Sequence, residues 1–257
     1  HKKLEELSIY GCAVIERRIS FDLQIQLATI DDLVKEDIHG LILSPYNDPA
    51  IQEKIDALWE NGIPCITINT DMPDSKRIAY VGSDYHKCGQ TAAGLLHLFS
   101  GDYASVGIVT GSHNVLCHEE RISGFTSHLH AKHPNIRIVD VVENNDDDYQ
   151  SYAVVSDLLD RHPDLSALYF TAAGVYGGCR AVLNATLQRP LKIITFDAVP
   201  STCEMIQNGI ISATICQQPD EQGALSLSLL MDYLLTGKLL ENRCIYMDLS
   251  IKIAENL

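Results

Sequence analysis

From residue 12 onward, apolar strand-like runs alternate with helix-period segments almost without interruption. The strand-like runs are Cys12–Ile15, Gly40–Leu43, Ile63–Ile68, Ile78–Gly82, Ser105–Thr110, Ile136–Val142, Ala167–Phe170, Lys192–Phe196, Ser212–Cys216 and Ile245–Leu249. Between them, apolar residues recur at helical spacing, as with Tyr152, Val155, Leu158 and Leu159,. Asn61-Gly62, Asn208-Gly209 and Thr236-Gly237 punctuate helix ends, where glycine accepts the left-handed cap conformation,. Such alternation predicts an α/β architecture of parallel sheets covered by helices on both faces.

Ten strands are many for one doubly wound sheet, so two sheets of about five, in two Rossmann-like lobes with a ligand cleft between them, are expected. The break falls near Ser100-Gly101-Asp102. The lobes are expected to comprise residues 1–100 with 218–245 and residues 101–217 with 246–257. Parallel sheets bind ligands outside the carboxyl ends of their strands. There, the buried run ending at Ile68 stops on Asn69, Thr70 and Asp71, and Ile193–Phe196 stops on Asp197. Either residue alone could be a helix cap or a loop residue. Their recurrence in both halves marks a polar rim suited to a small polar ligand.

Composition narrows the function. The 257 residues carry 34 acidic and 19 basic side chains, a formal net charge of -15, with no basic patch, so this chain is not expected to bind a phosphate backbone,. No apolar run reaches the roughly 18 to 20 residues of a membrane span. The eight cysteines lie outside zinc-finger and C-x-x-C spacings and favour a reducing, cytoplasmic setting,. The Ser elbow, P-loop, Rossmann glycine fingerprint and H-E-x-x-H motifs are all missing, so no enzyme, cofactor or metal is expected. His128, His130 and His133 read as a solvated helical face. Asp146-Asp147-Asp148 reads as a cap for a helix starting at Tyr149 rather than a calcium loop.

Four motifs carry a family resemblance: Asp71–Asp84 (DMPDSKRIAYVGSD), Arg121–Phe125 (RISGF), Thr195–Asp197 (TFD) and Ser212–Gly223 (SATICQQPDEQG). In this order they resemble the type I periplasmic sugar-binding proteins and the effector-binding domains of LacI/GalR-family transcription regulators, across essentially the whole chain. The resemblance implies two lobes joined by three crossovers and closing on a sugar or cyclitol. It places Asn69, Asp71, Arg121, Tyr149, Ala173, Asp197 and Gln217 at the ligand, with Tyr149 stacking on the ring, Arg121 gripping hydroxyls and Asp197 as its carboxylate partner. Thr171-Ala172-Ala173-Gly174 stands where Asn-Asp is common, and Asn69-Thr70 where Asp-Arg is common.

The resemblance and the thiols together suggest the effector-binding and dimerisation domain of a bacterial LacI-type regulator. It would be a homodimer, reaching DNA only through a helix-turn-helix outside this chain. The alternatives are an extracytoplasmic sugar-binding protein of an ABC transporter and the sensor domain of a receptor kinase. His1–Tyr10 reads as the tail of a first helix whose preceding strand belongs upstream.

Overall fold

The computed structural model describes residues 9, 11–19, 22–113 and 115–257. The chain divides into two compact units, residues 1–83 with 218–247 and residues 84–217 with 248–257, and passes between them three times.

In the first unit, a four-stranded parallel sheet runs in the order β1 (Leu41–Leu43), β2 (Cys65–Ile68), β3 (Ala79–Gly82), β9 (Cys244–Tyr246). Its side chains alternate between faces, as the two-residue period of a strand requires. Leu41, Leu43 and Cys65 pack with Ile30 and Leu33 of α1 (Leu23–Lys35) and with Ile51, Ile55 and Leu58 of α2 (Pro49–Glu60). Ile42 and Ile66 turn the other way, toward Leu230 of α8 (Pro219–Thr236). Asp22 and Asp48 cap α1 and α2, each accepting a backbone N–H in the first turn,.

The expected strand Cys12–Ile15 does not form. Residues 12–19 join no ladder, Val14 and Ile15 are exposed, and β1 pairs only with β2 among the described residues. A strand exists through its neighbour's hydrogen bonds. The neighbour expected here would lie between this segment and β1, and no described residue supplies it. The expectation for His1–Tyr10 falls outside the described residues, apart from Ile9.

The second unit holds a six-stranded sheet in the order β10 (Ser250–Lys252), β8 (Ala213–Cys216), β7 (Lys192–Phe196), β6 (Ala167–Phe170), β4 (Ala104–Thr110), β5 (Ile136–Glu143). All pairs are parallel except β10 with β8. The near-continuous apolar runs are split by alternation. Ile108, Tyr169 and Ile194 enter one core cluster, and Val109, Phe170 and Ile193 the other,. The first is covered by α3 (Tyr85–Ser100) and α4 (Leu116–Lys132), the second by α5 (Asp148–Arg161), α6 (Val175–Asn184) and α7 (Pro200–Gln207).

Helix α3, grouped with the first lobe in the sequence reading, belongs to the second unit because it packs along α4. The two helices touch backbone to backbone. A Cβ added to Gly124 would lie 1.9 Å from the His86 carbonyl oxygen, and one added to Gly89 would lie 2.1 Å from that of Arg121. Glycine is required at both points of contact.

Candidate functional site

In the second unit, the carboxyl ends of β6, β7 and β8, the first turn of α3 and the second turn of α4 supply a cluster centred on Arg121. Its guanidinium is buried, at 5% exposure, yet no carboxylate pairs with it among the described residues. Instead, the carbon at its centre lies 3.9 Å from the Phe196 ring centroid and 4.9 Å from that of Tyr85, and Nη1 donates to the Thr171 carbonyl. Ring faces thus stabilise the charge where a carboxylate was expected. Nε is buried with no hydrogen-bond partner among the described residues. A guanidinium offers five N–H donors, so this one retains capacity for an incoming acceptor.

The expected Arg121–Asp197 pair is replaced by an Asp197–Gln217 pair. Gln217 Nε2 lies 3.1 and 3.2 Å from the two Asp197 carboxylate oxygens. Asp197 follows β7 directly in the left-handed conformation, φ 63°. Its N–H donates to the Ile215 carbonyl, and its own carbonyl accepts from Thr214 Oγ1. The backbone is therefore clamped between β7 and β8, and the carboxylate is presented by that clamp.

Beside this cluster, three strand-end loops are tied through backbone groups. Buried Asn144 donates from Nδ2 to the Ala173 carbonyl at 2.9 Å, and Asp146 Oδ1 accepts the Ala173 N–H at 3.0 Å. Thr171 Oγ1 donates to Thr110 Oγ1. Gly174 has φ 80°, and a Cβ there would fall 2.3 Å from Asn144 Nδ2. Ala173 thus commits both backbone groups within the unit and leaves only a methyl to offer. The acidic triplet is spent similarly: Asp147 caps α5 by accepting the Gln150 N–H, and Asp148 accepts the Gly177 N–H. Tyr149 is 89% exposed, and its ring stacks on nothing among the described residues.

His118, one turn before Arg121, was missed in the sequence, as were Asn144, Tyr85 and Phe196. The only available signal for His118 was its three-residue spacing from Arg121, which puts both on the buried face of α4,. Its Nδ1 lies 3.3 Å from the Ser112 nitrogen. Burial pushes its pKa down; nearby Asp146 opposes this and Arg121 adds to it,.

In the first unit, Asn69 follows β2 with the same φ of 63°, is exposed, and accepts from the Tyr80 hydroxyl through its carbonyl at 2.8 Å. Asp71 is differently occupied. Its carboxylate accepts from Thr67 Oγ1 and the Met72 N–H, both at 2.7 Å, and from Arg77 Nη2 at 2.6 Å. Buried Arg77 also donates to the Arg243 carbonyl at 3.1 Å, tying the loop to the start of β9. This carboxylate braces its own unit. Among the described residues, no group of three or more His, Cys, Asp or Glu side chains is placed to hold a metal ion.

Two sheets ending in polar left-handed residues, with three chain crossings between their units, define a two-unit α/β binding-protein fold. Residues 3–239 match the periplasmic binding protein domain model, and the chain belongs to that family. It is 26% identical over 228 residues to the ribose import binding protein RbsB of Bacillus subtilis (strain 168), covering 89% of this chain and 73% of RbsB. Among solved structures, GanP, a glucose-galactose binding protein from Geobacillus stearothermophilus, superposes with a TM-score of 0.90 at 26% identity over 100% of this chain and 91% of GanP. The XylFII molecule superposes with a TM-score of 0.85 at 30% identity over 98% and 91% of the two chains. RbsB and GanP are both named as sugar-binding proteins.

Proposed function

We propose that the chain captures a neutral pentose or hexose and that Arg121, Asp197 and Gln217 supply the polar grip in the second unit. The observation that carries this reading is the Arg121 guanidinium, buried on two ring faces with its Nε unpartnered among the described residues, one of those rings being Phe196, next in sequence to the Asp197 of the Asp197–Gln217 pair. Vicinal hydroxyls both donate and accept, so a carboxylate–amide pair beside a guanidinium suits them. The names of the relatives, import binding proteins for ribose and a glucose-galactose binder, point to the same class of ligand.

They also favour solute capture for transport over the regulator role suggested by the sequence. The free thiols remain the argument for a reducing compartment, and fractionation of cells producing the native protein separates the two settings. Isothermal titration with ribose, allose, arabinose, xylose, glucose and galactose tests the ligand class. Saturable binding of at least one, lost in Arg121→Gln, supports the proposal. Absence of heat with all six overturns it.

A further inference from the structure

The second unit holds an open surface hollow of about 530 Å³, with Tyr103, Asn135, Arg137, Asp164 and Arg189 exposed along it, at the opposite end of its sheet from Asp197 and Gln217. Its walls come from the starts of the parallel strands: Tyr103 and Ser105 at β4, Asn135 and Arg137 at β5, Asp164 before β6, and Arg189 before β7. Helices α3 and α4 end on this side, so the backbone offers carbonyls rather than amides. Any positive potential must come from side chains, and two guanidiniums line the one hollow.

Neither guanidinium is neutralised by a carboxylate. Among the described residues the Arg137 side chain makes no hydrogen bond or ion pair. Arg189 donates only to the Asp164 backbone carbonyl, at 2.9 Å. Asp164 accepts from Ser105 Oγ at 3.1 Å through Oδ2, leaving its other oxygen open. In a chain of net charge -15, two unneutralised arginines sharing a hollow with a phenol, an amide and a half-used carboxylate form a set of complementary donors and acceptors. Arginine's planar fork matches carboxylate and phosphate oxygens in pairs.

We infer that this hollow is a second ligand site, taking a small oxyanion carried on a hydroxylated body. Arg137 and Arg189 hold the anionic group, and Asp164 and Asn135 meet the hydroxyls. The site is separate from the candidate sugar-binding cluster, and sugar titration reads that cluster independently.

The test uses the full chain and sulfate as the probe, because sulfate stays a dianion across the neutral range. Arginine Nε–Hε signals are followed by NMR while sulfate replaces chloride at constant ionic strength. Saturable shifts are expected at Arg137 and Arg189, with affinity falling about tenfold or more in Arg137→Gln and in Arg189→Gln. Gluconate and a hexose phosphate form two further arms, and whichever binds more tightly than sulfate identifies the anionic group. Shifts that do not saturate overturn the inference. So do variants that lower the melting temperature and leave the sulfate response intact, since the arginines would then only balance the helix ends. If both bodied anions bind no better than sulfate, the hydroxylated body is excluded and the inference fails in that form.

Discussion

Asn69 and Asp197 occupy the same backbone state in the two units: each is the first residue after a parallel strand and each has φ 63°. Asparagine and aspartate tolerate this left-handed conformation better than other residues with side chains, because their short polar groups can bond locally. Each strand therefore turns sharply at its carboxyl end.

Asp197→Ala is expected to weaken sugar binding by about 2 to 5 kcal/mol, since it leaves Gln217 and any bound hydroxyl without the carboxylate. It should also cost about 1 kcal/mol or more of stability through the left-handed backbone. Asp197→Gly separates the effects, losing the affinity while keeping the fold stability. Calorimetric titration and urea unfolding read the two quantities.

Asp71→Ala leaves Arg77 buried without its carboxylate. A loss of about 3 to 5 kcal/mol is expected, as for other broken buried pairs. Urea unfolding measures it, and a change below about 1 kcal/mol would show that Arg77 is adequately held by the Arg243 carbonyl and the Cys244 sulfur,.

Gly124→Ala places a methyl against the His86 carbonyl. Helices α3 and α4 must then separate, at an expected cost of about 1 to 3 kcal/mol. The same variant should weaken sugar binding, because Tyr85 and Arg121 sit on those two helices. Unfolding and titration on one preparation check both outcomes.

His118 predicts a pH effect. Its folded pKa lies below the ordinary 6.5, chiefly because it is buried, so the unfolded chain takes up a proton more readily. Stability from this group is fully present above pH 6.5 and falls as pH drops from there through the lowered folded value,. His118→Gln should flatten that part of the stability profile between neutral and mildly acidic pH. An unchanged profile would assign the slope to other groups.

Thiol labelling should divide the cysteines. Burial pushes Cys65 and Cys179 up to about 12 and Cys88 up to about 11, and Cys117 is raised by burial as well. Native protein at mildly alkaline pH should therefore protect these four from iodoacetamide, while Cys12 and Cys203, both only partly buried, react first,. Mass spectrometry of peptides reads the order, and early modification of Cys65 would contradict the buried assignment.

The alternation of segments made the sheets legible, because buried parallel strands must be apolar runs and their helices must be amphipathic. Strand ends at Asn69 and Asp197 were legible for the same reason: polarity interrupts such a run only where the chain leaves the core. Partnerships across the chain were not. Asp71 finds Arg77 only after the loop reverses, and Arg121 finds its ring faces in residues 36 and 75 positions away, Tyr85 and Phe196. Strand β10 escaped notice because three residues of mixed polarity, Ser250–Lys252, owe their conformation to the edge of β8 rather than to any pattern of their own. Cys12–Ile15 shows the converse, an apolar run with strand composition and no ladder to join.

The close backbone approaches of Gly89 to Arg121 and of Gly124 to His86 make helices α3 and α4 one mechanical part. Tyr85 lies one turn before the first glycine and Arg121 three residues before the second, so the ring and the guanidinium are fastened at nearly the same point. Their spacing is therefore fixed by main-chain contact, which is stiffer than any side-chain packing. A ligand can reshape the loops around it without changing the gauge between these two groups, and that gauge limits the thickness of whatever the guanidinium can reach.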